Sequence, residues 1–292
     1  MSKYKNYKDG CLAENDGYST LSEEVLNEVA IQFNRGRNKK FGNVIILAGG
    51  AASGKGFVIS NLLDIQGKVM DPDALKAAAL KAPGLRQKVE KALKTTLTAA
   101  TFKNPEMVTK LHLFLADDIK LVDRNQNAIL SSIALQPADR LPNLIFDTSL
   151  ARYSKLDGLC TTVKELGYAA ENIHVVWVLT PIEVAAELNK KRSRTVSDEV
   201  QIGNHTGASS TMQQVLTSTG LRKSMDGDIF IAFNKPKDDS TLVKSSSGGS
   251  YLKDASYVQV KKSGHEVDKK ALEGGISDKI ASYVPNGSIW KK

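Results

Sequence analysis

The apolar positions of the chain fall into short unbroken runs separated by long amphipathic stretches. Asn43–Ala48, Asn143–Phe146, Ile173–Leu179 and Ile229–Phe233 carry consecutive apolar residues with no polar alternation. Such runs suit strands buried on both faces of a parallel sheet. Lys68–Met70 is a shorter candidate of the same kind. Segments long enough for crossover helices follow them, and strands alternating with helices predict a doubly wound parallel sheet. The expected fold class is therefore α/β.

The helical signals divide the chain further. Thr20-Leu-Ser-Glu23 reads as a capping box, with Val25, Leu26, Val29 and Phe33 at helical spacing behind it and Gly36 as a stop. Phe57–Ile65 resumes a helical pattern after the first strong strand. From about 85 to 135 the composition is helical, broken at Asn104-Pro105. That is too long for a simple crossover and reads as a helical insertion over an acceptor site. Thr195–Ser210 is polar with two glycines and reads as a mobile loop, followed by a helix from Ser209 to Arg222. Lys244–Ser250 reads as a flexible tip between hairpin strands at Thr241–Val243 and Tyr257–Val260, and a last helix is expected over Lys269–Tyr283. The expected organisation is an N-terminal helical segment (1–40), a core (41–234) with a lid at about 190–207, and a C-terminal hairpin and helix (235–292).

Composition changes this picture little. The chain has 292 residues, 41% hydrophobic and 25% charged, ordinary for a globular protein. No apolar stretch approaches the roughly 20 residues that cross a bilayer, and the first ten residues lack the apolar centre of a signal peptide. A cytoplasmic protein without a membrane partner is expected. Two cysteines and four scattered histidines offer neither a disulfide framework nor a zinc-ligand spacing. The net charge of +8 fits a nucleic-acid partner, but it equally fits ATP and a phosphorylated acceptor. The basic runs, Arg35–Lys40 and Lys190–Arg194, are short enough to be solvated surface.

The chemistry is concentrated after the first strong strand. Gly49-Gly50-Ala51-Ala52-Ser53-Gly54-Lys55 matches G-x-x-x-x-G-K between a buried strand and a helix, the context that makes a phosphate loop credible. Glycines let the backbone turn successive N–H groups inward, the helix adds its positive end, and Lys55 supplies a cation for the outer phosphates. These residues predict ATP as the bound nucleotide. The motif usually closes with Ser or Thr, whose hydroxyl holds Mg²⁺; here Gly56 stands instead, and Ser53 is not placed to replace that hydroxyl.

Carboxylates stand at the ends of two other strand candidates, where open α/β sheets bind ligands. Asp71 reads either as an acceptor contact or as the N-cap of a helix with Pro72 at its first position. Asp73 follows in the first turn and reads as the base that takes the acceptor's proton. Asp147, after Leu144-Ile-Phe146, reads as an acceptor or water-mediated Mg²⁺ ligand, or as a helix cap.

The order strand, G-x-x-x-x-G-K, strand, D-x-D, helical block, strand with acidic end and arginine-bearing segment resembles the zeta-toxin group of P-loop kinases. Kinase-like proteins of tailed phages are similar too, in the phrases Ala48–Gly56 and Val175–Thr180 and more faintly in Asp228–Asn234. The resemblance spans about Gly42 to Asn234. It implies a nucleotide-kinase-like P-loop core that transfers phosphate from ATP, in some members onto a nucleotide-linked sugar, and a host-cytoplasmic location if phage-encoded. By it Lys55 matches the loop lysine, Asp73 the catalytic base, and Arg192 and Arg194 the lid arginines that neutralise the moving charge. Gly56 departs from the family pattern, as does Asp147, where glutamate is more usual.

Among other residues, His205 reads as a phosphate contact or, in preference, a surface-loop histidine, His112 and His174 read as core residues, and Trp177 as sheet packing. The expected function is transfer of the γ-phosphate of ATP, with Mg²⁺, to a hydroxyl of a small molecule, nucleotide or nucleotide sugar. A kinase acting on nucleic acid and a non-catalytic nucleotide-binding protein are the alternatives. Oligomeric state is left open.

Overall fold

The computed structural model describes residues 31–34, 41–218, 223–234, 242–244, 250–252, 256–272 and 275–291. The helix expected behind Thr20, the basic run Arg35–Lys40 and most of the expected tip Lys244–Ser250 lie outside them.

Five strands, β1 (Val44–Ala48), β2 (Lys68–Met70), β3 (Leu144–Asp147), β4 (Ile173–Leu179) and β5 (Ile229–Phe233), run parallel in the order β2-β3-β1-β4-β5. They coincide with the apolar runs to within a residue or two. All residues of β1, β4 and β5 are buried, which is why these strands lack polar alternation. Successive side chains still serve opposite faces. On one face Ile46, Phe146, Val175, Trp177 and Ile231 join a large core. On the other, Ile45, Leu47, Ile145, Val176 and Phe230 pack with Ile31, Phe33, Val58 and Leu63. The chain builds β2 and β3 on one side of β1, then crosses to β4 and β5 on the other. This doubly wound topology opens a crevice beyond the carboxyl ends of the central strands.

A two-stranded ribbon joins β6 (Leu242–Lys244) to β7 (Ser250–Leu252). Tyr257–Val260, expected as the hairpin partner of Thr241–Val243, instead lies in β8 (Ser256–Lys261), antiparallel to β5 at the edge of the main sheet. The reason is burial: Val260 is sealed in the large core, and Tyr257 packs edge-on against Phe230. A short ribbon offers neither contact.

Helix α1 (Lys55–Asn61) follows β1, and α2 (Pro72–Ala79) follows β2. Then come α3 (Pro83–Leu93), α4 (Ala99–Lys103), α5 (Pro105–Leu113), a π-helical turn at Phe114–Asp118 and α6 (Leu121–Ile133). Asn104 caps α5, accepting from the N–H groups of Glu106 and Met107. Leu80, Val89, Leu97, Leu111 and Leu115 form a separate small core for this block. Helix α7 (Tyr153–Glu165) leads into β4, and α8 (Ile182–Lys191) leaves it.

The largest departure from the sequence pattern is α9 (Asp198–Thr217), 20 unbroken residues across most of the expected mobile loop. Ser197 caps it by accepting from Val200 N–H. Its buried face is mostly polar at its start, with Gln201, His205, Ser209 and Thr211 beside Ala208 and Met212, so no apolar stripe announces it. The two interior glycines carry a cost of about 1 kcal/mol each relative to alanine. Gly207 is needed for close approach, since a Cβ there would lie 2.4 Å from the carbonyl oxygen of Ala151.

The C-terminal region, with α10 (Lys269–Leu272) and α11 (Gly275–Tyr283), closes the large core over α9. The Trp290 ring lies 5.3 Å from that of Trp177, and its Nε1–H donates to Ser209 Oγ at 2.8 Å. Trp290→Ala is expected to lower unfolding stability by about 3–5 kcal/mol, the range for deleting a buried large aromatic. Urea denaturation measures it, and a loss under about 1 kcal/mol would show that the tail is not part of this core.

Candidate active site

The loop between β1 and α1 is held by side chains from three other elements. The carbonyl oxygen of Ser53 accepts from Thr180 Oγ1 at 2.7 Å and from Asn234 Nδ2 at 3.0 Å. These residues follow β4 and β5 directly. The carbonyl oxygen of Ala51 accepts from His205 Nε2 at 3.0 Å and Gln201 Nε2 at 3.4 Å, both on α9. The glycines are required by this enclosure. A Cβ at Gly50 would lie 2.1 Å from the His205 ring, and one at Gly54, where φ is +89°, would lie 2.1 Å from Asn234 Nδ2. Gly56 is different: a Cβ there meets nothing within 4 Å. The Ser53 hydroxyl is fully buried and makes no hydrogen bond among the described residues.

His205 is thus a buried loop-clamping residue rather than the surface histidine expected. Its pKa is held down by burial and the nearby Lys55 charge, against the hydrogen bond to Ala51. A carbonyl oxygen only accepts, so Nε2 carries the proton of this contact.

Lys55 folds back on the loop. Its Nζ donates to the carbonyl oxygens of Gly49 at 2.8 Å and Gly50 at 3.1 Å and lies 3.7 Å from Asp147 Oδ1. Burial lowers the Lys55 pKa, and Asp147 opposes that most strongly. Burial likewise raises the Asp147 pKa, with Lys55 opposing. Each group is pushed towards neutrality by lost water and drawn back towards its charged form by the other. Asp147 is the last residue of β3, paired in register with Leu47 of β1. It is not a helix cap, because β3 continues through it and α7 starts only at Tyr153, after Arg152.

The acidic pair after β2 separates into two roles. Asp71 is the N-cap of α2, its Oδ1 accepting from the N–H of Asp73 at 2.8 Å and of Ala74 at 3.1 Å. Asp73, half exposed, meets Arg194 Nη1 at 3.0 Å, Lys76 Nζ at 3.6 Å and Arg192 Nη2 at 3.9 Å. Burial tends to raise the Asp73 pKa, but Arg194, Lys76 and Arg192 outweigh it and the net shift is downward.

Both arginines stand on the turn between α8 and α9, and this turn is pinned. Thr195 N–H donates to Phe102 O at 3.2 Å, and its Oγ1 donates to Lys103 O at 3.1 Å. Asn189 brackets Val196, donating to its carbonyl at 2.7 Å and accepting from its N–H at 3.2 Å. The mobile loop of the sequence reading is therefore a docked turn and a helix. Capping by Ser197 and the hydrogen bonds to α4 are the physical reason.

A cleft opens beside the carboxylates, lined by Asp71, Leu75, Asn125, Phe146, Asp147 and Lys155, among others. Lys55, Asp71, Asp73, Asp147, Arg192 and Arg194, the residues expected from the sequence, stand together at this edge of the sheet. Thr180, Asn234, Gln201 and His205, which hold the loop, and Lys76 with His112 beside Asp73 were not among the expected site residues. His112 is exposed rather than in the core, with Nδ1 2.9 Å from Lys76 Nζ. His174 and Trp177 are buried in the sheet as expected. Thr180 and Asn234 carried a signal in retrospect, as polar residues directly ending two apolar strands. Gln201 and His205 stand four apart, one helical turn, but inside a segment with no apolar periodicity.

No protein-family model and no curated protein sequence matches the chain. Solved structures similar to it include the AvrRxo1-ORF1:-ORF2 complex with ATP, at 13% identity and a TM-score of 0.43, covering 98% of this chain and 79% of that one. Another comes from the PezAT chromosomal toxin–antitoxin system of Streptococcus pneumoniae, at 14% identity and a TM-score of 0.38, covering 83% and 84%. The chain's own strand order and its loop between β1 and α1 place it in the doubly wound α/β class.

Proposed function

We propose that the chain is an ATP-dependent phosphotransferase that moves the γ-phosphate to a hydroxyl of a small molecule, nucleotide or nucleotide sugar. The observation that carries the reading is the meeting of four separate stretches of chain at one edge of the sheet. Lys55 lies 3.7 Å from Asp147, Asp73 meets Arg194 at 3.0 Å and Arg192 at 3.9 Å, and they flank a loop in which a Cβ at Gly49, Gly50 or Gly54 would collide.

In this reading the loop N–H groups and the start of α1 cradle the phosphates. Lys55 leaves the carbonyls of Gly49 and Gly50 for the β- and γ-phosphate oxygens. Arg192 and Arg194 turn from Asp73 to the transferring group, whose charge they offset. Asp73, so released, accepts the proton of the acceptor hydroxyl, and Asp71 and Asp147 border the acceptor cleft. Asp147, at the carboxyl end of β3 and 3.7 Å from Lys55 Nζ, is the carboxylate that would hold Mg²⁺ through water. When bound, Mg²⁺ supplies charge neutralisation at the phosphate oxygens.

Lys55→Ala is expected to weaken ATP binding and to lower any transfer by about 10²–10³, the usual cost of losing one charge-stabilising donor. Isothermal titration with an ATP analogue and a labelled-ATP acceptor screen measure both, and unchanged values would remove the phosphate-loop reading.

Asp73→Asn is expected to cut turnover at least about 10²-fold while leaving ATP affinity near normal. Asp71→Asn, which keeps a good N-cap, serves as the control. Loss of turnover in the Asp71 variant instead would reverse the two roles.

Gly56 favours a second reading, nucleotide binding without transfer. The open space at its Cβ position allows a direct test. Gly56→Ser adds the hydroxyl that usually meets Mg²⁺ and is expected to tighten Mg·ATP binding by about 1 kcal/mol, roughly fivefold. An equal gain measured without Mg²⁺ would show that the metal does not sit there.

A further inference from the structure

Asp73 has three cationic neighbours, and one is unlike the others. Arg192 and Arg194 arrive on the α8–α9 turn, from which they can swing to a phosphoryl group. Lys76 belongs to α2 itself, one turn along from Asp73, and is 4% exposed. Lysine is almost never buried so completely unless paired. Its second partner is on α5, where His112 Nδ1 lies 2.9 Å from Lys76 Nζ.

The chemistry of that contact is one-directional. Burial lowers the Lys76 pKa and Asp73 opposes it most strongly; in the ammonium form that Asp73 favours, Lys76 has three donors and no acceptor, so Nδ1 of His112 accepts. The ring is then neutral, with its proton on Nε2. Although His112 is exposed as a residue, partial loss of water at its ring favours the neutral form, as do the charges of Lys76 and Arg194, while Asp73 and Asp117 work against it. The charged groups acting on Lys76 are Asp73, Arg194 and Lys155. Lys76 is therefore fixed between a carboxylate and a neutral acceptor, on two different helices.

We propose that Lys76, anchored by His112, is the positioning residue for Asp73, holding its carboxylate in place when Arg192 and Arg194 turn to the phosphoryl group. This rests on the reading of Asp73 as the acceptor-side base. Two of the three contacts on Asp73 are lost at the moment its orientation matters. The contact from its own helix persists, because neither α2 nor α5 has to move. Lys76 itself touches neither nucleotide nor acceptor.

The test follows the Asp73 carboxylate by ¹³C NMR titration in the full chain saturated with Mg²⁺ and a non-hydrolysable ATP analogue. Lys76→Met is expected to raise the Asp73 pKa relative to the parent chain, and Lys76→Arg to restore it. Amide shifts over residues 49–56 report nucleotide occupancy separately. Loop shifts with an Asp73 titration indifferent to Lys76→Met would overturn the proposal while leaving the ATP reading intact. Absent loop shifts would reject the ATP reading, and this inference with it. Should Lys76→Met not fold, the unaltered chain still decides: ¹⁵N shifts placing the neutral His112 proton on Nδ1 would exclude the contact, and a proton on Nε2 supports it.

Discussion

Four side chains close on two carbonyl oxygens of one loop, and the site depends on that closure. Thr180 and Asn234 hold Ser53, while Gln201 and His205 hold Ala51. A carbonyl that faces out of the loop leaves its N–H groups free to face in, which is the condition for an anion cradle. The donors come from the ends of two adjacent strands and from α9, so groups distant in sequence hold the loop. The same closure excludes a Cβ at Gly50 and Gly54. Local glycine freedom and distant side chains thus act on the same few atoms.

Helix α9 links the loop to the rest of the site. Its Gln201 and His205 hold Ala51, its cap at Ser197 ends the turn that carries Arg192 and Arg194, and its far half is sealed by Trp290, Ile289 and Asn286. A disturbance in the C-terminal tail therefore has a packed route to the phosphate loop. This explains why a helix with a weak apolar stripe is nevertheless continuous. Its polar face is satisfied by specific partners, so burial of those groups does not carry the usual penalty.

Electrostatically the resting site neutralises itself. Lys55 leans on loop carbonyls and Asp147, and the arginines lean on Asp73. Burial moves Lys55 and Asp147 towards their neutral forms, so an arriving phosphate would meet a cation whose charge is held only by modest contacts. In the proposed transfer these partners would be exchanged for phosphate oxygens. Lys76 and His112 stand outside that exchange, since both lie on helices that nucleotide does not touch in this reading.

The residues by themselves determined the five parallel strands, the loop after β1 and the acidic groups at the strand ends. Those features are written locally: unbroken apolar runs mark strands buried on two faces, and Gly, Lys and Asp appear at the points where the chain leaves the sheet. The tertiary structure alone decided the rest. Tyr257–Val260 reads as half of a hairpin and becomes the sixth strand, because the edge of β5 and the core beneath it offer more burial than a ribbon does. Thr195–Ser210 reads as a loop and becomes mostly helix, because its polar residues find partners on Ala51 and on the tail that lie distant in sequence. His112 and Lys76 stand 36 residues apart, and nothing in either neighbourhood predicts their contact. Where a residue's environment is supplied by its own segment it is legible in sequence; where distant segments supply it, packing has to decide.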